Sequence, residues 1–173
     1  MVTSYRPPIR RDKMSKRTLS QTKATNQAGE ASQVAALLSG KGSEVISIGP
    51  DDTLGRAVEV LRDHRIGALV VTDAAGSLIG ILSERDIVRK LADTPGRTLP
   101  HQVKEVMTAN VETCTPEESL VAVLRRMSAG RFRHLPVVEE GKLMGMITIG
   151  DVVNFRLAEL EHETLQLKQL IVG

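Results

Sequence analysis

Residues 131–153 read RFRHLPVVEEGKLMGMITIGDVV, and this stretch decides the fold. Its two apolar runs, 135–138 and 143–147, stand on either side of a turn at Gly141. Short apolar runs joined by such a turn predict a β-hairpin. Thr148 and Asp151 follow directly, and small polar side chains of this kind are typical of a helix N-terminus. The stretch therefore predicts a strand, a turn, a second strand and a helix.

The same plan occurs about 65 residues earlier, where residues 65–88 read RIGALVVTDAAGSLIGILSERDIV. Asp86 corresponds to Asp151, and a strand predicted at 45–48 corresponds to one at 111–114. Each copy has about 55 residues, which is too few to bury a core comfortably alone. The sequence therefore predicts an internal duplication whose copies bury a face between them. An amphipathic helical face recurs with the same spacing, at Leu54, Ala57, Val58 and Leu61 and again at Leu120, Val123, Leu124 and Met127.

The pattern divides the chain into five parts. Residues 1–30 are predicted to be a disordered basic tail, 31–92 the first repeat, 93–102 a linker, 103–155 the second repeat and 156–173 a C-terminal helix. Short helices are predicted at 31–38 and 103–107. A capping box at 115–118, with Pro116 at the first helical position, predicts the start of the amphipathic helix in the second repeat.

The terminal helix, predicted from residue 152 onward, carries a heptad stripe of mostly apolar residues. The stripe has two open interpretations. It packs on the protein's own core, or it forms a contact across a homodimer. Its members are Val153, Leu157, Leu160, Thr164, Leu167 and Ile171.

Composition bounds the class of protein. Hydrophobic residues make up 41% of the chain but aromatic residues only 2%, so the core is aliphatic and base-stacking side chains are scarce. No run approaches 18 apolar residues, so no membrane span is expected. The single cysteine, Cys114, excludes an internal disulfide and favours a reducing compartment, which predicts the cytoplasm.

The tail of residues 1–30 carries seven basic and two acidic residues. We interpret it as a solvated extension, with nucleic-acid binding as the alternative. Because the tail is rich in arginine, serine and threonine and poor in acid, the mitochondrial matrix stays open as a second location.

Enzyme motifs are missing from the sequence. There is no phosphate-binding loop, dinucleotide fingerprint or nucleophile elbow. The four histidines, at positions 64, 101, 134 and 162, have no metal-ligand spacing with each other or with Cys114. The sequence therefore predicts neither catalysis nor a metal site.

Two helix starts carry the most promising polar residues. Ser83 and Asp86 in the first copy, and Thr148 and Asp151 in the second, each place a hydroxyl and a carboxylate three residues apart. Both pairs suit a helix N-cap. A carboxylate held there also has acceptor lone pairs for the two hydroxyls of a ribose, and a nearby helix N-terminus favours phosphate.

Arg131, Arg133 and His134 precede a predicted strand and suit an anion site, although a solvated strand edge is the alternative. In the first copy Gly67 and Ala68 replace Arg133 and His134. Small residues there leave room for a flat group to approach the backbone. One copy thus offers charge and the other offers space.

These repeats resemble a tandem pair of CBS domains (cystathionine-β-synthase domains), also called a Bateman module. The motifs that carry the resemblance are RIGALVVTD with GILSERDIV, and RHLPVV with GMITIGDVV. The resemblance implies an α/β (α+β) fold of two β-α-β-β-α repeats, packed sheet to sheet about a pseudo-two-fold. A C-terminal amphipathic helix follows the second repeat, as in small stand-alone bacterial members of the family.

The resemblance also implies two clefts for adenosyl ligands. The ligands it favours are AMP, ATP and NAD(H), with S-adenosylmethionine less favoured and no covalent cofactor. One cleft would use Thr148 and Asp151 for the ribose, Ile66, Gly67 and Ala68 for the base, and Arg133 and His134 for phosphate. The other would use Ser83, Arg85 and Asp86, with Val111, Phe132 and Arg133 opposite. The first copy has Val70 where the family often has proline and lacks the Arg-His pair, so two equally occupied clefts are not expected.

The implied function is regulatory. A homodimer would sense an adenine nucleotide and modulate a protein partner. One alternative is a structural or interaction module whose clefts are vestigial, and another is nucleic-acid binding through the basic tail.

Overall fold

The computed structural model describes residues 32–172. The expectations for the basic tail of residues 1–30 lie outside the described residues. The first repeat contains α1 (Val34–Lys41), β1 (Ser47–Ile48), α2 (Leu54–His64), β2 (Ala68–Thr72), β3 (Leu78–Ser83) and α3 (Glu84–Asp93). The second contains a 3₁₀ turn (Val103–Glu105), α4 (Leu120–Gly130), β4 (His134–Glu139), β5 (Lys142–Thr148) and α5 (Ile149–Val172). The predicted mixed α/β fold with two repeats and a C-terminal helix is confirmed.

The hairpins of the two repeats are equivalent in register. β2 and β3 pair in antiparallel fashion with Ala68 opposite Ser83, and β4 and β5 pair with His134 opposite Thr148. Each first strand has its register shift at the same place, between Val71 and Thr72 and between Val137 and Val138. The duplication therefore extends to the irregularities of the backbone. β1 joins the first hairpin by parallel pairing with β2.

The strand predicted at 111–114 is wrong, because only a single parallel bridge forms there, between Cys114 and Val137. In the first repeat the N–H of Val70 donates to the carbonyl of Ile46, 3.3 Å away. Pro136 occupies the place of Val70 in the second repeat and has no N–H to donate. The parallel ladder is therefore shortened to one bridge.

The helix of the second repeat begins later than the capping box predicted. Glu118 does accept from the N–H of Thr115, at 3.0 Å, but α4 starts at Leu120 with Ser119 as N-cap. The N–H of Leu120 donates to the carbonyl of Ser32, 2.7 Å away. Residues 115–118 thus form a turn, and the start of α4 is fixed by the segment that enters α1.

The two hydrophobic cores exchange elements between the repeats. Val34 and Leu37 of α1 belong to the core of the second repeat, and Val103 belongs to the core of the first. Of the predicted helical faces, Val58 is 39% exposed and Leu124 is only partly buried, while the other members are buried. Each core is therefore incomplete without a segment from the other repeat.

Helix α1 and the 3₁₀ segment cover equivalent glycines. A Cβ on Gly145 would lie 2.8 Å from Cδ2 of Leu38, and a Cβ on Gly80 would lie 2.5 Å from Sδ of Met107. At both glycines an added side chain would displace the end of a side chain of the exchanged segment, because that side chain lies directly on the hairpin. The predicted helix at 103–107 is a 3₁₀ turn, and the helix predicted at 31–38 runs from Val34 to Lys41.

Helix α5 packs on the second core only through its first two turns. Val152 is buried, and Ile149 and Phe155 pack beside it. The apolar members of the heptad stripe are 41–83% exposed, so the interpretation that the stripe packs on the protein's own core is wrong. No helix within residues 32–172 is both long enough and apolar enough to cross a membrane.

Candidate functional site

The first corner, formed by Ser83 and Asp86, is rigid. Oδ2 of Asp86 accepts from the N–H of Ser83 at 3.0 Å and from its hydroxyl at 2.6 Å. Both bonds use the same oxygen, while Oδ1 faces Nη1 of Arg89 at 3.8 Å. The N-cap interaction predicted from the sequence therefore fixes the carboxylate and leaves acceptor capacity on it.

A cavity of about 660 Å³ opens beside this corner and is lined by both repeats. Its volume lies within the range of small-molecule sites. We call it the first cleft. Nine of the residues that the sequence singled out line it: Gly67, Ser83, Arg85, Asp86, Val111, Arg131, Phe132, Arg133 and His134.

Arginines dominate the charge of the first cleft. Four guanidinium groups line it together with the carboxylates of Glu84, Asp86 and Glu112. Nη1 of Arg85 crosses the cleft and donates to the carbonyl of Arg131, 2.9 Å away. Arg131 has a φ of 55° and ends α4 in the left-handed conformation, which places its carbonyl at this edge. The cleft therefore combines a fixed hydroxyl acceptor with cations suited to phosphate.

Arg89, Thr108 and Asn110 line the first cleft and were missed by the sequence prediction. Arg89 lies one helical turn beyond Asp86, which is a signal that the sequence contains. Thr108 exchanges backbone hydrogen bonds with Ile81, at 2.9 and 3.0 Å, and so brings Asn110 to the cleft. That contact spans the two repeats and has no local signal.

His134 lies against Gly67 of the first repeat. A Cβ on Gly67 would lie 3.3 Å from the imidazole. Burial lowers the pKa of His134, and Lys41 and Arg133 lower it further, while Glu84 and Asp151 act in the opposite sense. The lowered pKa favours the neutral imidazole.

The second corner has the same N-cap geometry. Oδ2 of Asp151 accepts from the N–H of Thr148 at 2.7 Å, and the N–H of Asp151 donates to Oγ1 of Thr148 at 3.1 Å. Unlike its counterpart, this carboxylate is also bonded to Nζ of Lys41, at 2.5 Å. Burial would raise the pKa of Asp151, but the hydrogen bonds from Lys41 and Thr148 outweigh burial and lower it.

Four predicted site residues lie outside the lining of the first cleft. Thr148 and Asp151 form the second corner. Ala68 is fully buried, and Ile66 packs partly against the first core. Lys41, which the sequence prediction missed, takes the polar contact at this corner.

Neither metal chemistry nor a reactive thiol is indicated within the described part of the chain. No group of three or more histidine, cysteine, aspartate or glutamate side chains in residues 32–172 is arranged to hold a metal ion. Cys114 is 2% exposed, and burial raises the pKa of its thiol to about 12. It behaves as a small core residue.

The model of the CBS domain matches the chain twice, over residues 42–93 and 103–158. The chain therefore belongs to the CBS domain family and carries a tandem pair of these domains. It is 35% identical over 127 residues to the mitochondrial CBS domain-containing protein CBSX3 of Arabidopsis thaliana. That similarity covers 71% of this chain and 62% of the plant protein.

Solved structures agree with the fold. A CBS-domain containing protein from Agrobacterium tumefaciens is 44% identical, with a TM-score of 0.72 over 74% of this chain and 96% of that chain. The CBS domain pair of protein MJ0100 is 26% identical, with a TM-score of 0.65 over 73% of this chain and 97% of that chain. The MJ0100 pair was solved in complex with 5′-methylthioadenosine and S-adenosyl-L-methionine, so a pair of this family binds adenosyl ligands.

Proposed function

We propose that this protein binds an adenine nucleotide in the first cleft and that the bound nucleotide regulates a protein partner. One observation carries the proposal. The cleft joins the carboxylate corner of the first repeat, Ser83 and Asp86, to the arginines of the second, Arg131 and Arg133. A ligand that touches both must itself have hydroxyl groups at one end and an anion at the other.

The corner suits the ribose of such a ligand. Asp86 is held by two hydrogen bonds to Ser83 through one oxygen, so its orientation is set before ligand binds. A carboxylate fixed in this way accepts from the 2′ and 3′ hydroxyls without loss of side-chain freedom. Gly67, Val111 and Phe132 offer the small and apolar surfaces for the base.

The arginines determine which adenosyl ligands are favoured. Four guanidinium groups against three carboxylates leave the lining net positive. A phosphate is attracted there, whereas the sulfonium of S-adenosylmethionine is repelled. AMP, ATP and NAD(H) are therefore our proposed ligands, ahead of the ligand classes bound by the MJ0100 pair.

Isothermal titration of the full chain with AMP, ATP, NAD(H) and S-adenosylmethionine tests the proposal. We expect binding of at least one phosphorylated nucleotide that is tighter than binding of S-adenosylmethionine. Asp86→Ala should lower that affinity at least about tenfold, because charge-assisted hydrogen bonds to the ribose are lost. Asp63→Ala removes an exposed carboxylate on α2, outside the cleft lining, and should have no effect. Absence of heat and of thermal shift with all four ligands rejects the proposal.

The regulated state is proposed to be a homodimer formed through α5. Leu157, Leu160, Leu167 and Ile171 expose half or more of their surface on one helical face. A second copy of this face would cover them, as two heptad stripes do when helices pair. Ligand binding then shifts the dimer between shapes only as far as it binds those shapes with different affinity.

Sedimentation of the full chain tests the dimer. Leu157→Asp with Leu167→Asp should give monomers, while Gln169→Asp, on the opposite side of α5, should leave the dimer intact. The interaction module would instead be supported if nucleotide does not change the dimer and if removal of residues 155–173 abolishes binding of a partner. A monomeric parent chain overturns the dimer proposal without affecting the nucleotide proposal.

The proposed location is the cytoplasm, with the mitochondrial matrix as the alternative. Both compartments suit a protein whose one cysteine is a buried thiol. Imaging a C-terminal fluorescent fusion beside a fusion of residues 31–173 distinguishes them. Loss of a mitochondrial signal on removing residues 1–30 would establish the matrix, and an unchanged cytoplasmic signal would establish the cytoplasm.

A further inference from the structure

We propose that Lys41 controls access to the second cleft, the ligand site that the second corner would form with Thr148 and Asp151. The Lys41 ammonium bonds Oδ2 of the carboxylate that would receive a ribose, so a nucleotide in the second cleft competes with this contact for that oxygen. The inference rests on the proposed function. It makes the two clefts unequal in affinity for the same phosphorylated nucleotide.

The contact is built by two acceptors. Nζ of Lys41 bonds Oδ2 of Asp151 at 2.5 Å and the carbonyl of Met146 at 3.0 Å. The same Oδ2 also accepts from the N–H of Thr148. An incoming hydroxyl that bonds Oδ2 must therefore compete with a cation and with a backbone N–H for this oxygen.

Helix α1 delivers Lys41 to this place. Lys41 is the last residue of α1, and Leu38, one turn earlier, lies directly over Gly145. At the other end of the helix, the N–H groups of Val34 and Ala35 donate to the carbonyls of Glu118 and Pro116, at 3.0 and 2.8 Å. The helix is fixed at both ends, so the ammonium is held near Asp151 by the fold and not only by its own charge.

The first repeat lacks this contact. Met107 over Gly80 is the counterpart of Leu38 over Gly145, and the residue three positions after Met107 is Asn110. By position along the chain Asn110 is thus the counterpart of Lys41, and it lines the first cleft with a neutral amide. At Asp86 the nearest cation is Arg89, which faces the other carboxylate oxygen at 3.8 Å. The two corners thus share their N-cap geometry, but among the described residues only the second has a lysine ammonium bonded to its carboxylate.

Both members of the pair are partly exposed, with 38% of the Lys41 side chain and 27% of the Asp151 side chain accessible to solvent. Solvent screening limits the strength of such a contact, so breaking it should change affinity by about fivefold rather than by orders of magnitude. Lys41 therefore lowers the affinity of the second cleft without blocking it.

The test uses the full chain and ATP as the probe. The Asp86→Ala background weakens the first cleft at least about tenfold, so that a change caused by a second substitution at Lys41 reports the second cleft. Adding Lys41→Met, which keeps the aliphatic length and removes the charge, should raise the remaining affinity about fivefold. Lys41→Arg keeps the charge and should leave the affinity at its Asp86→Ala value. Circular dichroism confirms that each variant is folded.

The reciprocal variant tests the same idea in the first cleft. Asn110→Lys places an ammonium at the equivalent position and should weaken ATP binding there in an otherwise unchanged chain. Unchanged or weaker binding in Lys41→Met overturns the inference, because Lys41 would then be neutral or a ligand of the nucleotide. If the parent chain binds ATP but Lys41→Met does not strengthen binding, only the inference fails. If ATP binds neither cleft in the parent chain, the proposed function and this inference fail together.

Discussion

His134 and Gly67 meet across the boundary between the repeats, and the imidazole lies so close to Gly67 that an added side chain would press on it. An added Cβ would sit 3.3 Å from both Cε1 and Nε2 of His134, and 3.6 Å from a carboxylate oxygen of Glu84. Gly67 immediately precedes β2 and His134 is the first residue of β4, so this pair joins the two hairpins. The imidazole of the second repeat thus lies in the space beside the glycine of the first.

Gly67→Ala should weaken nucleotide binding several-fold. The new methyl group pushes the imidazole into the first cleft, while the cost in stability should stay below about 1.5 kcal/mol because a side chain can shift. Titration with AMP and thermal unfolding measure the two effects separately. Gly40→Ala is the matched control, since nothing lies within 4 Å of its added Cβ. It lies inside α1 and should stabilise the protein by up to about 1 kcal/mol. Unchanged AMP affinity in Gly67→Ala would show that the contact between Gly67 and His134 is not part of the nucleotide-binding site.

His134 should make the free energy of unfolding depend on pH below its unfolded pKa of about 6.5. Its folded pKa is lowered, chiefly by burial and then by Lys41 and Arg133, against Glu84 and Asp151. As the pH falls below 6.5 the unfolded chain binds the proton first, so stability declines until the folded pKa has also been passed.

The pH dependence is measured by urea unfolding of the parent chain and of His134→Gln. The variant should lose the contribution that His134 makes to the slope below pH 6.5. A proton NMR titration of His134 gives the folded pKa directly. A midpoint at or above 6.5 would contradict the burial of this imidazole.

Cys114 should be unreactive in the folded protein. Its thiol is 2% exposed and its pKa is raised to about 12 by burial, so almost no thiolate is present at pH 8. A disulfide reagent should therefore react at the rate at which the chain unfolds, and at once in guanidinium. Rapid stoichiometric labelling of the native protein at pH 8 would show that this part of the second core opens.

The elements that the sequence predicted well are local. The hairpins and the N-cap corners at Ser83 and Thr148 each depend on side chains within a few residues, and the duplication gave every pattern a second instance. The sequence prediction failed where the position of an element depends on backbone that is distant in sequence. The capping box at 115–118 did form its hydrogen bond, but Ser32, far away in sequence, determined where α4 begins.

The residues of the candidate site also divide into those that local motifs predicted and those that depend on distant segments. Nine predicted residues line the first cleft because the motif that carries them is local in each repeat. Lys41 and Asn110 were missed because they reach the corners only through exchange of α1 and the 3₁₀ segment between the cores. Lys41 and Asp151 are 110 residues apart in sequence, and no periodicity relates them.

The exchange itself can be tested at Leu38 and Gly145. A Cβ on Gly145 would lie 2.8 Å from Cδ2 of Leu38, so Gly145→Ala should destabilise the protein by about 1–3 kcal/mol through overpacking. Leu38→Ala removes the obstructing atoms and costs packing of its own, but in the double variant the added methyl group enters the space that was vacated. The double variant should therefore be more stable than the sum of the two single effects, with a coupling of about 0.5–3 kcal/mol. Urea unfolding of the four chains measures the coupling. Additive effects would mean that α1 does not lie on β5, and the delivery of Lys41 to Asp151 would lose its structural basis.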